Sequence, residues 1–586
     1  MPAAPKLWHL LPSDPAAAAR LAASVRTSEV VAQLLLNRDV ATAAAAHAFL
    51  DAKLSGLHPP ALLPGVDEAA GRIIAAVAAG RKICVYGDYD VDGTTGVAIL
   101  LRILKQLGCE AEFYVPNRRD EGYGLNAEAV AGLAAAGVSL LVTVDCGISA
   151  VVEAAEAKRL GVELIITDHH EFAPTLPPAD VLVHPRLPGG SYPFGGLSGA
   201  GVALKLAWRI AQRASRSERV APEFRELLLD LMGYAALGLI ADVVPLRDEN
   251  RALVRHGLHR LGTQPGVGVK ALIAAAKLDQ NDNIRAEDVG FRLAPRINAA
   301  GRLECARLVV ELLTTSNPVR ARELAEYLEG LNLKRQGIEK KAVTQAKQLV
   351  EEHGFDTHPA IVLGSPDWHQ GVVGIVAARL ADHYGKPALL VAERTNDEAS
   401  TGSGRSANGF PLHTGLAACG QHLDGHGGHA AAAGFKVRPS NLPALRKAFC
   451  AAVAAEYPDG PPPPTLTLET EVPLSALTYK LMQELDKLEP YGADNPRPRF
   501  LASGLTLDGT PRRMGQDERH LMFKATQGGV SIRAVGWGMG DRLDELMSAG
   551  GACCLAFVPR LNHFRGQTTV EMEVTDFQPG GEPRLG

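Results

Sequence analysis

The sequence predicts an α/β protein of several domains, on three observations. From Arg81 onward, short apolar runs alternate with helical periodicity, the signature of β-α units and a mainly parallel sheet. A long polar stretch from Pro318 to Glu352 reads as a spacer helix leading to a second α/β segment that opens at Ala360. The tetraproline Pro461–Pro464, stiff and extended by composition, then separates a tail whose runs Thr465–Thr470, Ile532–Trp537 and Val570–Val574 predict a small β domain of the kind that closes into a barrel.

A length of 586 residues supports two to four domains, and 46% hydrophobic with 21% charged residues excludes wholesale disorder, collagen and coiled-coil rods. The longest uncharged apolar run, Ala129–Val144, is too short for a bilayer and is broken by Gly132 and Gly137, so no membrane partner is expected. The first residues carry no basic flank and continuous apolar core, which predicts a cytoplasmic protein. Eight cysteines without a Cys-x-x-Cys pair point to reduced thiols and give no zinc ribbon or redox motif. A net charge of -5 excludes a globally basic nucleic-acid coat and leaves a local basic channel open.

In chain order, residues 1–60 are alanine-rich and read as an N-terminal helical cap, with Leu34, Leu35 and Leu36 as their dense apolar cluster. Ile83–Tyr86 is the first clear strand, followed by an acidic loop and a helix marked by Val97, Leu100, Leu101, Leu104 and Leu107 and stopped at Gly108. Leu140–Val144 ends at Asp145 and Leu164–Thr167 at Asp168, so three strands deliver an aspartate to the carboxyl edge of the sheet, where ligands of open parallel sheets bind.

The chemistry concentrates there. Gly87-Asp88-Tyr89-Asp90-Val91-Asp92-Gly93 places three carboxylates in five residues, an arrangement whose repulsion one or two hard divalent cations would convert into coordination. An EF-hand fails because no Glu follows at the required position and a strand precedes the loop. Asp168-His169-His170 puts a carboxylate and two imidazoles after a strand; read as extended, it directs the two rings to opposite sides, one to metal and one to a phosphate or the loop. Asp145 and Asp242, the latter inside the apolar run Ile240–Pro245, complete a mixed Asp/His set that suits manganese or magnesium rather than structural zinc and points to phosphoryl chemistry. Arginines that match phosphate oxygens stand in Arg118-Arg119, in Pro295–Arg302 and in Gly402–Ser406, and Gly425–His429 is a glycine-rich run without a Walker pattern. Each alone has a bland reading as a surface ion pair or loop.

These residues, together with Asn117–Leu125, His369–Gly374, Gly428-His429, Glu489–Pro496 and Asn562–Gly566, resemble the DHH phosphoesterase superfamily, named for a triplet like Asp168-His169-His170, and within it the single-strand-specific DNA exonucleases. The resemblance spans nearly the whole chain. It implies a parallel-sheet DHH domain (61–315), a connecting helix (316–352), an α/β DHH-associated domain (353–458), a Pro-rich linker (459–464) and an OB-type β-barrel (465–586). Phe564 stands where the family often has tryptophan.

By that resemblance Asp88, Asp90, Asp92, Asp145, His169 and Asp242 hold one or two Mn2+ or Mg2+ ions, and Asp90, Asp92, Asp145, His169, His170 and Asp242 form the catalytic group, His170 on the scissile phosphate. Arg118, Arg302, Ser403 and Arg405 grip the 5' end and backbone of the strand, with Arg296 a lesser candidate. Tyr123, Asn298, His369, Ser406, His429 and Phe564 complete the DNA-binding set, and Phe564 reads equally as a ring that stacks on a base or as core packing. The implied activity is hydrolysis of single-stranded DNA from 5' to 3' into 5'-mononucleotides, in DNA repair and recombination, by a monomer working with a helicase and a single-strand binding protein. The alternatives are a phosphodiesterase of short oligonucleotides or cyclic dinucleotides, against which the extra barrel argues, and a catalytically dead scaffold, against which the full ligand set argues.

Overall fold

The computed structural model describes residues 6–586 apart from 118–120, 123, 280–282, 304, 305, 459, 549 and 565, and leaves out the side chain of Phe564. The chain divides into two compact units, one of residues 10–329 with 468–583, the other of residues 330–467 with both chain ends. No helix among the described residues is long and apolar enough to cross a membrane.

The first strand, β1 (Leu7–Leu10), belongs mostly to the second unit. In the first unit, α1 (Pro15–Val25), α2 (Glu29–Leu36) and α3 (Ala43–Asp51) start at Asp14, Ser28 and Thr42, whose side chains accept from the backbone N–H of Ala17, Val31 and Ala45. After α4 (Val66–Ala78), strand and helix alternate: β2 (Ile83–Gly87), α5 (Val91–Gln106), β3 (Glu112–Tyr114), α6 (Ala127–Ala135), β4 (Leu140–Val144), α7 (Val151–Arg159), β5 (Glu163–Thr167) and β6 (Val181–Val183). All five strands are parallel in the order β3-β2-β4-β5-β6. The chain leaves β2 for a neighbour on one side and returns on the other, so the topological switch point lies at the ends of β2 and β4. Every residue of β2 and β4 is buried, as near-continuous apolar strands in a covered parallel sheet must be.

Register fixes where the aspartates go. Gly87 pairs with Val144, which pairs with Thr167, so the next residues, Asp88, Asp145 and Asp168, lie in one row across three strands. Helices α8 (Gly199–Ala214), α9 (Pro222–Ala241), α10 (Asp248–Thr263), α11 (Val267–Ala275), the single turn α12 (Ala286–Asp288), a π-helical turn Val289–Leu293, α13 (Ala294–Leu303) and α14 (Arg307–Thr314) complete this part.

Helix α15 (Pro318–Glu352) follows, and in the second unit β7 (Ile361–Ser365), α16 (Val373–Tyr384), β8 (Ala388–Ala392), β9 (Ser400–Arg405), α17 (Leu412–Ala418), β10 (Gly425–Gly428), β11 (Ala432–Val437) and α18 (Leu442–Glu456) build a mixed sheet ordered β10-β11-β9-β8-β7. Two expectations are corrected here. Leu7–Leu10, read as part of a helical cap, is a strand, because its alternation buries Trp8 completely. Its partner is β12 (Thr465–Leu468), which was assigned to the terminal β domain and instead forms a two-stranded sheet with β1.

The terminal β domain comprises β13 (Thr470–Glu471), α19 (Tyr479–Asp486), β14 (Phe500–Leu507), β15 (Arg512–Met514), β16 (His520–Gln527), β17 (Val530–Gly536), α20 (Leu543–Met547), β18 (Ala552–Phe564) and β19 (Gln567–Pro579). Its order β14-β18-β19-β17-β16 returns on itself where Thr506 and Leu507 meet Thr526 and Ala525. The expected barrel is thus a ring of five strands whose closing seam is two residue pairs long.

Two arginines fasten this ring to the rest of the unit. Arg38, just after α2, spends its donors on Glu469 Oε2 (2.5 Å) and Oε1 (2.8 Å), Asn495 Oδ1 (2.7 Å), Leu34 O (2.8 Å) and Pro496 O (2.8 Å). Arg251 of α10, 1% exposed, donates to Phe49 O, Lys487 O, Leu488 O and Glu489 O, tying α3 and the chain just beyond α19 to α10. Because Arg38 and Glu469 are both buried, Arg38→Ala strands a carboxylate out of water. Chemical denaturation of this variant is expected to show a loss of about 3 kcal/mol or more; a loss within about 0.5 kcal/mol would mean the pair is dispensable.

Candidate metal centre

Asp88 leaves β2, and Asp90 caps α5, its Oδ1 accepting from Gly93 N (3.0 Å). Asp92, in the first turn of α5, turns toward the N-terminus of α8. Its Oδ1 accepts from Ser198 Oγ (2.7 Å) and Ala200 N (3.0 Å), and its Oδ2 from Gly199 N (2.6 Å). Free N–H groups and the positive end of a helix dipole suit a buried carboxylate. Asp145 follows β4 at φ 63°, and Asp242 caps the C-terminus of α9.

Asp168 organises the histidines instead of joining the ligands. Its Oδ1 accepts from His169 N (2.7 Å), His170 N (3.1 Å) and His170 Nδ1 (2.8 Å), and its Oδ2 from Ile148 N (3.0 Å). The strand has ended at Thr167, so the alternation expected of extended backbone does not apply: the two imidazole rings lie with centroids 4.5 Å apart instead of on opposite sides. Two further groups hold the loop by its carbonyls, Arg186 Nη2 donating to His169 O (2.6 Å) and His184 Nε2 donating to His170 O (2.9 Å). Sequence reasoning missed His184, Arg186 and Ser198. Ser198 before a helical run carried an N-cap signal, whereas nothing local marks the other two.

Three groups bring donor atoms within 4.8 Å of one another: Asp88 with Asp90 and Asp145; Asp145 with His169 and His170; and Asp92 with His169 and Asp242. His169 Nε2 stands 3.1 Å from Asp145 Oδ1, 3.5 Å from Asp242 Oδ2 and 3.9 Å from Asp92 Oδ2. It is buried and makes no hydrogen bond among the described residues. Burial, outweighing the nearby carboxylates, holds this imidazole below its ordinary value and hence neutral. A neutral ring nitrogen aimed at carboxylates that it does not hydrogen-bond is the disposition of a ligand, and hard oxygen donors with imidazole fit Mn2+ or Mg2+.

The carboxylates show the matching strain. Burial first, then the charges of Asp92, Asp90, Asp88 and Asp168, push Asp145 well up. Burial and then Asp92 push Asp90 up, and burial with Asp92 and Asp90 takes Asp242 to about 8. Burial opposes charge on His170, but the hydrogen bond and charge of Asp168, with Asp242 and Asp92, raise it to about 9.

Helix α13 lies against the acidic loop, for a Cβ on Gly301 would fall 2.6 Å from Tyr89 O. Asn298 and Arg302 ride on α13, both half-buried, while Arg296 is ion-paired to Glu329 at 2.8 Å. In the second unit, Arg405 Nη1 donates to Ser403 Oγ (3.1 Å) and Gly404 O (2.7 Å), and a Cβ on Gly374, at the start of α16, would meet both side chains. His369 Nδ1 accepts from Gly371 N (3.0 Å) before that helix, Ser406 Oγ closes a turn on Phe410 O (2.6 Å), and His429 lies in the β10-β11 turn, its N–H on Ala432 O (2.8 Å). Arg118, Tyr123 and the side chain of Phe564 lie outside the described residues.

Comparison with known proteins identifies three domains in the chain. The DHH family N-terminal domain matches residues 82–235, the DHHA1 domain 357–455 and the RecJ OB domain 468–576. The chain is 36% identical to the single-stranded-DNA-specific exonuclease RecJ of Bacillus subtilis over 97% of its own length and 70% of that protein. Against RecJ of Escherichia coli it is 34% identical, over 90% of this chain and 93% of that one. The chain belongs to the RecJ family. A crystal structure of RecJ from Thermus thermophilus in complex with Mn2+ superposes with a TM-score of 0.83 at 32% identity, covering 99% of this chain and 80% of that one. A second exonuclease RecJ, bound to manganese, covers 69% of this chain and 96% of its own at a TM-score of 0.58 and 36% identity.

The raised groups set a pH dependence. Asp242, raised from 3.8 to about 8, gives the cation-free fold a stabilisation that is complete below 3.8 and lost as pH rises through about 8. His170, raised from 6.5 to about 9, acts in the same direction over a window that starts higher. In excess chelator the melting temperature is therefore expected to fall between pH 5 and pH 8, and to fall less steeply in Asp242→Asn. Identical slopes for the two proteins in scanning fluorimetry would contradict the assignment.

Proposed function

We propose that this chain is a divalent-metal-dependent exonuclease that hydrolyses single-stranded DNA from the 5' end into 5'-mononucleotides. The observation that carries the reading is the convergence of Asp92, Asp145 and Asp242 on a neutral His169 at the switch point of the parallel sheet, with Asp88 and Asp90 gathered on the same Asp145. Family membership supplies the substrate class.

Asp88, Asp90, Asp92, Asp145, His169 and Asp242 would hold one or two Mn2+ or Mg2+ ions. Such an ion supplies Lewis acidity, drawing charge from phosphate oxygens and lowering the pKa of water. The chain's own groups do the rest. Asp168 fixes His170 by its Nδ1, so that a ring carrying a proton at neutral pH presents Nε2 to a phosphate oxygen. Asp92 keeps its oxygens oriented through Ser198, Gly199 and Ala200, which limits the rearrangement needed to take up charge. Arg118, Arg302, Ser403 and Arg405 are assigned to the 5' end and backbone of the strand, with Tyr123, Asn298, His369, Ser406 and His429 as further contacts and Arg296 and Phe564 as lesser ones. The five-stranded ring supplies a track for a polymer, which a hydrolase of dinucleotides has no use for. A monomer following a helicase, on strands otherwise held by a single-strand binding protein, is the working arrangement this implies.

The test is Mn2+-dependent digestion of a long 5'-phosphorylated single strand labelled at its 3' end, with blunt duplex alongside. Progressive shortening of the single strand, resistance of the duplex and silence in excess chelator are expected. Cleavage in excess chelator, or of dinucleotides alone, would overturn the reading. Asp145→Ala is expected to lower turnover by at least a hundredfold, about 2.7 kcal/mol of barrier, while its affinity for the strand, from fluorescence anisotropy, stays within threefold. Unchanged turnover would remove Asp145 from the centre.

A further inference from the structure

Two large apolar side chains stand open to solvent beside the acidic centre. Phe291 is 81% exposed and Val243 68%. Val243 directly follows Asp242 and is held at φ 59°, a left-handed conformation that β-branched residues avoid. Phe291 lies in the π-helical turn that leads into α13, a distortion that recurs at functional sites. A Cβ on Gly290 would lie 3.9 Å from Ile240 Cγ2, so this turn abuts the same end of α9 that bears Asp242 and Val243.

A single exposed aromatic needs no explanation; its place on the helix does. Residues spaced i, i+4, i+7 and i+11 share one face. Gly290, Ala294, Ile297 and Gly301 form the inner stripe: the two glycines abut Ile240 and Tyr89, while Ala294 and Ile297 are buried. One position round the helix runs the stripe Phe291, Pro295, Asn298 and Arg302, exposed at its first member and half-buried at the others. It carries an aromatic ring at one end, in the π-helical turn, and an amide and a guanidinium toward the other, seven and eleven residues further on. A flat apolar face in line with phosphate-matching polar groups mirrors a single nucleic-acid strand, in which unpaired base faces alternate with a charged backbone.

We propose that Phe291 is a stacking platform for a nucleobase of the bound strand, a few nucleotides from the phosphate held by Arg302, with Val243 forming an apolar edge beside Asp242. The proposal deepens the exonuclease reading and rests on it. Stacking on an aromatic ring is indifferent to base identity, which suits an enzyme that must traverse any sequence.

The test compares wild type, Phe291→Ala and Phe291→Trp on two labelled single strands, one intact and one whose 5'-terminal residues are abasic. Anisotropy titrations without metal give affinity, and Mn2+-dependent digestion gives kcat and KM. Phe291→Ala is expected to weaken binding of the intact strand and raise KM by about tenfold with kcat within about twofold, as loss of one stacked base predicts. Phe291→Trp keeps wild-type values, and the abasic strand binds wild type and Phe291→Ala alike, since the partner of the ring is already gone. Equal affinity and KM for wild type and Phe291→Ala, or an equal loss on both strands, would overturn the proposal. So would a self-associating wild type that Phe291→Ala renders monomeric in sedimentation, because the ring would then serve a second copy of the chain. Failure of wild type to digest either strand would fall on the exonuclease reading, while the metal-free titrations would still judge the platform.

Discussion

The carboxylate of Asp92, held on the open end of α8, is the interaction on which the acidic centre depends. Asp88, Asp90, Asp92, Asp145, Asp168 and Asp242 gather where burial makes charge expensive, and a fold that collects them must offset that cost without a cation. It does so unevenly. Asp92 and Asp168 each receive several backbone and side-chain donors, whereas Asp90, which accepts from Gly93 N, and Asp145 and Asp242 are pushed up by burial and by the neighbouring carboxylates. The first pair fixes the geometry, and the second group forms the part that awaits positive charge. The same bond seats α8 against α5, so orientation of the centre and packing of the helices behind it are one contact.

Much of this was legible in the chain. Three apolar runs that each end in aspartate, in a pattern that dictates parallel pairing, can only place those residues on one edge, and the register of Gly87, Val144 and Thr167 puts them in a row. The spacing of Asp88, Asp90 and Asp92 before a helix, and the Asp168-His169-His170 triplet, located the centre without any coordinate. What stayed hidden depends on partners distant in sequence. Periodicity reports which face of a helix is buried; it does not report that the N-terminus of α8 meets a carboxylate 106 residues earlier in the chain. Nor could it show that Arg186 and His184 hold the backbone of the histidine loop. The opposed rings expected of His169 and His170 failed for a local reason: side-chain alternation belongs to strands, and this strand stops at Thr167.

The same distinction governs the assembly of the larger unit. The terminal ring was foreseen from its short alternating runs, but its attachment rests on Arg38 and Arg251, buried guanidinium groups that the sequence marks no differently from surface arginines. Among the described residues Arg251 donates to carbonyl oxygens of Phe49, Lys487, Leu488 and Glu489, with its guanidinium 3.9 Å from the centre of the Phe49 ring. Such sites fix segments by backbone, which leaves neighbouring side chains at liberty to vary.

The loop after β5 follows that rule as well. Asp168, Arg186 and His184 grip its amides and carbonyls, and the Nδ1 contact of His170 is the one bond they make to the imidazoles it displays among the described residues. On the proposed function, replacing His169 would remove a metal ligand and leave the loop's scaffold standing. A lineage of this fold can therefore shed hydrolysis without first losing its shape, and a protein that only holds a strand lies a short evolutionary distance from one that consumes it.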